Sequence, residues 1–278
     1  MARTSRLLTQ SFNSEDTGAG SRHFVNALAR GLQILALFDR DTHELGNDEI
    51  AQRTGLPRST VTRLTYTLVT LRYLVYVPRT HGYRLGVAAM SWSYAAQREF
   101  EGVAFVQPFM QEFANQLKAS TVAFSANMGL EMVYVAHCAG PSLFNIRTSV
   151  GTRLKVWESA AGRTYWASAD EAARSEVRSA LTALSAGMQS HAVRMLEEAD
   201  AEYAQHGFCT SLGGWREGVN AAGCPVRWNR SGKDETFVVT CGGTAGEFSV
   251  PMIYESLGPR LREFAKFLEP KLQTMKPL

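Results

Sequence analysis

Between Glu49 and Gly86 the chain reads as helix, tight Thr54-Gly55 turn, helix and two short strands, and it carries no acidic residue after Glu49. That order is a winged helix-turn-helix. Six arginines, Arg53, Arg58, Arg63, Arg72, Arg79 and Arg84, lie between Ala51 and Gly86, whereas the acids of the N-terminal third sit outside, apart from Asp48 and Glu49 at the boundary. Positive charge placed on one small unit points to a polyanion, and this architecture points to double-stranded DNA.

The whole-chain charge is a weaker guide than its distribution. Residues 1–100 hold 12 Arg against 8 Asp or Glu, while the rest of the chain holds 17 basic and 18 acidic residues, so only the first part looks built for nucleic acid. A length of 278 residues exceeds one average domain and supports two cores. Apolar runs are broken well before the roughly 20 residues needed to cross a bilayer, and no secretory signal opens the chain, so a soluble, cytoplasmic protein without membrane contact is expected. Cys138, Cys209, Cys224 and Cys241 form no Cys-x-x-Cys pair, which argues for reduced, buried thiols and against a metal. No cofactor is expected. Residues 1–20 are polar and aperiodic and read as a disordered leader.

Val25, Leu28, Leu32, Leu35 and Phe38 follow helical spacing and predict a first helix to about Asp39, with Ile34 and Leu37 widening its apolar face. Asn47 is the expected N-cap of the second helix, which ends at Gly55. Leu56-Pro57 opens the third helix, with Val61, Leu64, Leu68 and Leu71 inward. Its other face offers Arg58, Ser59, Thr60, Thr62 and Arg63, with Thr65 and Tyr66 toward the edges, a set suited to phosphates and base edges. Tyr73–Val77 and Tyr83–Gly86 form the wing, with Arg79 at its tip.

These segments resemble the IclR family of bacterial transcriptional regulators. The likeness is carried by ALARGLQILALF, EIAQRTGLPRSTVTRL, the YRLG that closes the wing and a later set of motifs, together running from about Val25 to the C-terminus. The expected fold is α+β: a winged helix-turn-helix domain over 21–86, a linker helix over 87–100 and, over 101–278, a GAF-like antiparallel sheet flanked by helices. In proteins similar to this one the linker joins the domains and supports dimer contacts. Strands are expected at Thr121–Ala126, Met132–Ala136, Phe144–Arg147, Gly207–Thr210, Ala222–Trp228 and Phe237–Cys241. Helices are expected near Phe105–Leu117, Ala160–Ala169, Glu171–Ala180 and Ala192–His206, with a last helix from about Tyr254 toward Met275.

In the second domain, Glu158–Arg163 resembles the family's small-residue motif at a helix start, with Arg163 where lysine is usual. Small residues there let a ligand reach the backbone, and a helix N-terminus favours a carboxylate; tight helix-on-sheet packing would use the same residues. Gly218–Val226 and Phe237–Gly242 match the strands that wall the family's pocket, with Cys241-Gly242 where Ser-Gly is usual. The resemblance carries Ala160, Ala161, Ser211, Ala221, Val239 and Cys241 over as effector-binding residues. Trp157 and Trp215 join them as rings able to stack on a ligand, although either could be core.

Hydrolase-elbow, phosphate-loop, zinc-protease and Rossmann motifs are absent, and His137 and Cys138, adjacent on a strand, point to opposite faces, so no enzyme is expected. The reading is a regulator binding operator DNA as a homodimer or dimer of dimers, with a small organic acid as effector and RNA polymerase as a further partner. The resemblance implies catabolic operons for such acids. The alternative is a redox or ligand sensor acting through protein partners.

Overall fold

The computed structural model describes residues 24–39, 41–98, 101–142, 146–230 and 233–274; the leader read at 1–20 lies outside them. The chain divides into two compact units, one reaching Glu99 and including Thr182–Ser185, the other Phe100–Leu181 with Ala186–Leu278. No helix among the described residues is long and apolar enough to cross a membrane.

The first unit runs α1 (Asn26–Leu35), β1 (Leu45–Gly46), α2 (Asn47–Thr54), α3 (Arg58–Thr70), β2 (Leu74–Val77), β3 (Gly82–Leu85) and α4 (Ala88–Arg98). Its core gathers Ile34, Leu37, Phe38, Leu45, Ile50, Val61, Leu68 and Leu74. The strands form an antiparallel sheet in the order β1-β3-β2, so the wing gains a third strand that alternation could not reveal in two residues. Gly55 ends α2 in the left-handed region at φ 72°, where a residue without Cβ is unstrained.

Three local expectations change. Helix α1 stops at Leu35, and Leu37 and Phe38 enter the core from the turn that follows, while Val25, Leu28 and Leu32 stay exposed. The sequence holds two overlapping apolar stripes, and the core takes the C-terminal one. Gly46, held by pairing with Gly82, occupies the cap position assigned to Asn47. The Asn47 carboxamide instead donates to the Arg58 carbonyl at 3.4 Å and to Thr62 Oγ1 at 3.2 Å, tying α2 to α3. Thr65 is buried, its hydroxyl returned to the Val61 carbonyl at 2.9 Å, whereas Leu71 caps α3 in solvent.

The second unit is built on a six-stranded antiparallel sheet in the order β6-β5-β4-β9-β8-β7. The strands are β4 (Thr121–Met128), β5 (Glu131–Cys138), β6 (Arg153–Lys155), β7 (Cys209–Leu212), β8 (Val219–Arg230) and β9 (Lys233–Thr244). Helix α5 (Glu101–Leu117) and α10 (Gly258–Gln273) bring Val106, Met110, Phe113, Leu261, Phe264 and Leu268 into one core with Phe124, Cys224, Val239 and Cys241, and Phe113 stacks on Phe264 at 4.3 Å. Also part of this unit are α6 (Ala160–Ser168), α7 (Glu171–Leu181) and α8 (Ala186–His206), and α6 packs against β8, its Thr164 hydroxyl donating to the Gly223 carbonyl at 2.9 Å. A short α9 (Val250–Met252) and a π-helical turn at Ile253–Leu257 precede α10.

Here too the sequence reading is revised. Strand β6 was not anticipated, and helix α8 starts at Ala186 rather than Ala192. Of the strand expected at Phe144–Arg147, residues 144 and 145 lie outside the described residues, and Ile146 and Arg147 form no strand.

The first turn of α6 sits directly on the segment that leads into it. A Cβ added at Gly162 would overlap the Cα and carbonyl oxygen of Val156, which are backbone atoms and cannot swing aside. Gly162→Ala is therefore expected to lower unfolding stability by about 1–3 kcal/mol, read as a lower urea midpoint at unchanged slope.

Candidate functional site

Two features stand out, one in each unit. On α3 the side chains of Arg58, Ser59, Thr62, Arg63 and Tyr66 are exposed, Tyr66 to 73%, while Thr60 is half-buried. The helix is amphipathic in a strict sense: Val61, Thr65 and Leu68 anchor it and leave the remaining face free. Arg58 forms an ion pair with Asp48 at 2.8 Å, but both side chains are largely in solvent, where such a pair contributes little and exchanges readily for a phosphate.

Arg53 pairs with Glu49, and Arg84 with Glu44 at 2.6 Å, so three arginines of the segment are matched by acids at or before its boundary. Hydrogen bonds from Thr80 and Arg84 hold the Glu44 carboxyl below the usual range. Arg63 has no ion-pair partner among the described residues. Arg79 is exposed in the turn between β2 and β3, where His81 adopts φ 53° and its Nδ1 lies 2.8 Å from the Tyr76 hydroxyl.

In the second unit a small, partly open cavity is lined by Tyr134, Leu154, Ser159, Ala160, Ala161, Ser211, Trp215, Val219, Ala221 and Thr240. Five anticipated residues meet there: Ala160, Ala161, Ser211, Trp215 and Ala221. Val239 and Cys241 do not. Both are fully buried in the core against α5 and α10, and the residue between them, Thr240, faces the cavity, because successive side chains on a strand alternate between faces. Trp157 is also absent from the lining; it is buried, with Lys155 Nζ 5.5 Å from its ring centre.

Tyr134 was missed for a different reason. Between Phe124 and Ser125 the pairing slips, so that Phe124 faces Ala136 but Ser125 faces Tyr134. This β-bulge breaks the alternation of β5 and turns Tyr134 away from the core that holds Ala136. Burial pushes the Tyr134 phenol up to about 12, which keeps it neutral.

The α6 start supplies the cavity's electropositive edge. Ser159 is the N-cap, its Oγ accepting from the Gly162 amide at 3.1 Å and donating to the Lys155 carbonyl at 2.8 Å. The Ala160 and Ala161 amides precede the first intrahelical bond and have no partner among the described residues, so they remain available to an anion. One turn on, Arg163 pairs with Glu202 at 3.1 Å in a largely buried setting. Glu202 also accepts from the Thr210 amide at 3.1 Å, the Thr210 hydroxyl at 2.6 Å and the Tyr254 hydroxyl at 2.7 Å. One carboxylate thus ties the helix and strand that wall the cavity to the π-helical turn.

No group of three or more His, Cys, Asp or Glu converges among the described residues. His137 Nε2 meets Thr148 Oγ1 at 2.9 Å, whereas the Cys138 thiol turns to the Gln107 carbonyl at 3.7 Å, so the two do not cooperate. All four cysteines are free and buried, and burial raises each thiol's pKa, Cys209 to about 12.

Comparison with known proteins places these features together. Residues 27–78 match the family model described as the IclR helix-turn-helix domain, and residues 98–241 that described as the bacterial transcriptional regulator IclR C-terminal. The chain is 25% identical over 265 residues to the HTH-type transcriptional regulator TsaQ1/TsaQ2 of Comamonas testosteroni, covering 95% of this chain and 93% of that protein. It is 29% identical over 157 residues to the Pca regulon regulatory protein of Pseudomonas putida, covering 55% and 52%. Among solved structures, an IclR family transcriptional regulator from Brucella abortus is 30% identical with a TM-score of 0.80, over 95% of this chain and 98% of that one. An IclR homolog from Microbacterium hydrocarbonoxydans complexed with 4-hydroxybenzoate shares the fold at 19% identity and a TM-score of 0.66, over 89% and 99%.

Raised thiol pKa values leave less thiolate at a given pH in the folded chain than in the unfolded one. At pH 8 the native protein is expected to leave all four cysteines unreacted toward a disulfide reagent, with four equivalents titrating after denaturation. Rapid reaction of a native thiol would revive the redox-sensor alternative.

Proposed function

The chain belongs to the IclR family of bacterial transcriptional regulators, and from that premise we propose that it reads operator DNA through α3 and the wing under control of a small carboxylate bound in the cavity. It is a DNA-binding regulator with a C-terminal effector domain, not an enzyme. The observation that carries the DNA contacts is the uncovered face of α3, where Arg58, Ser59, Thr62, Arg63 and Tyr66 stand in solvent above a fully packed opposite face. Arg63, without a carboxylate partner among the described residues, is suited to the O6 and N7 acceptors of guanine, and Ser59 and Thr62 to phosphates or a thymine methyl. Arg79 on the wing would reach backbone or minor groove.

A homodimer fits this use, since one short helix buries little DNA and two half-sites multiply both affinity and selectivity. Its support is the apolar surface left open in the first unit: Leu28 and Leu32 on α1, and Met90, Trp92 and Tyr94 on α4. The Trp92 ring also packs against Tyr73 of its own unit, tilted by 42° with centroids 4.3 Å apart, so α4 is anchored as well as exposed.

For the effector, free amides at the α6 N-terminus favour a carboxylate, and the aliphatic walls with Trp215 favour an aromatic body. The relative solved with 4-hydroxybenzoate supports an acid of that kind. The resemblance supports control of a catabolic operon for such acids.

Arg63→Ala is expected to weaken operator binding by about 1–3 kcal/mol and to reduce the salt slope by about one, while carboxylate affinity stays unchanged. Fluorescence anisotropy across a salt series, paired with calorimetry for the ligand, checks both. Unaltered operator affinity would remove α3 from the interface; loss of both activities would signal misfolding instead.

A further inference from the structure

Among the described residues, three that are not glycine hold the left-handed backbone region: Arg72 at φ 65°, His81 at φ 53° and Lys118 at φ 52°. Two of them close helices. Arg72 follows the end of α3 and Lys118 the end of α5, and the next residue in each case, Tyr73 or Ala119, donates its amide back to the carbonyl of Leu68 or Ala114, the usual pattern past a helix end. His81 closes no helix. It stands in the turn from β2 to β3, where a left-handed residue is ordinarily glycine or asparagine because a Cβ is crowded there.

The fold gains no core contact from this choice. The His81 side chain is exposed, and its Nδ1 lies 2.8 Å from the hydroxyl of Tyr76, itself exposed on β2. That bond serves both charge states of the ring. The phenol donates to Nδ1 of a neutral imidazole, whose proton is then on Nε2, and accepts from Nδ1–H of an imidazolium. In either state Tyr76 orients the ring and Nε2 is the nitrogen left to donate outward. The titratable and charged groups about the tip are Tyr76, Tyr83 of β3 with its ring 5.5 Å from that of Tyr76, the exposed Arg79, and Glu44, which already accepts from Arg84 at 2.6 Å.

We propose that His81, oriented by Tyr76, is a DNA-phosphate contact of the wing and couples DNA binding to proton uptake. This rests on the reading of the wing as a DNA contact in the preceding subsection. A phosphate beside the ring favours the imidazolium over the neutral form, so binding takes up protons and weakens as pH rises through the range in which histidine loses its charge. A residue kept in a crowded backbone region without a place in the core is accounted for by a ligand that uses its side chain.

The test pairs anisotropy of the full chain on a labelled fragment of the DNA upstream of its own gene, at pH 6 and pH 8 and one salt concentration, with urea unfolding. His81→Gly is expected to bind about fivefold or more weakly than the native chain at pH 6, and to differ from it by about twofold or less at pH 8. Glycine is unstrained at φ 53°, so the urea midpoint should match or exceed that of the native chain. His81→Asn, which tolerates the left-handed region but carries no charge, should show the same deficit at pH 6. Tyr76→Phe, which releases the ring, should fall between the native chain and His81→Gly at that pH. Random DNA should lose affinity by the same factor, because a phosphate carries no sequence information. Equal binding of native and His81 variants at both pH values, or a deficit as large at pH 8 as at pH 6, overturns the proposal and leaves the DNA reading standing. An affinity loss matched by a lower urea midpoint in both His81 variants assigns the residue to the fold and overturns it too. A native chain that binds neither the upstream fragment nor random DNA overturns the DNA reading and the proposal together.

Discussion

The division of the six-stranded sheet into two chemically distinct faces is the constraint on which the second unit depends. In β9 the two-residue period sends Val239 and Cys241 into the core against α5 and α10 and leaves Thr240 on the opposite side, with the cavity. A slip of one residue would reverse every one of these placements, so hydrophobic burial fixes the register and thereby the identity of the cavity-facing side chains. The same sheet supports α6 through the Thr164–Gly223 bond, and α6 brings its unpaired amides to the cavity edge.

The first unit solves a related problem on a smaller scale. Helix α3 must be held firmly enough to present a fixed pattern, yet keep most of one side bare. Val61, Thr65 and Leu68 supply the anchorage, Asn47 adds two polar ties from α2, and the exposed arginine positions remain unencumbered or only weakly paired. In the second unit Glu202 gathers donors from α6, β7 and the π-helical turn, so these elements share one largely buried carboxylate. Regulation by such a ligand requires only that it bind the DNA-competent and incompetent arrangements with different affinity.

Much of this was legible in the amino-acid sequence where local chemistry decides the outcome. The Gly55 turn, the polar side of α3 around Arg58, Thr62 and Arg63, and the small residues Ala160 and Ala161 are local signals, and the structure places them in a left-handed turn, on an exposed helix face and beside a cavity. What was not legible depended on neighbours distant in sequence. Two apolar stripes compete on α1, and only packing selects Ile34, Leu37 and Phe38 over Val25, Leu28 and Leu32. Asn47 loses its cap role to Gly46 because β1 pairs with β3. Tyr134 reaches the cavity through a bulge, and Val239 and Cys241 leave it through strand alternation, neither of which composition records.

The central claim is that a ligand in one unit changes what the other does with DNA. Its most direct test is the affinity of the full chain for its own upstream operator, by anisotropy at fixed salt, with and without a saturating carboxylate that has been shown to bind. The account predicts a shift of roughly 5–150-fold in either direction, against no change for random DNA. An operator affinity identical in both conditions would contradict it.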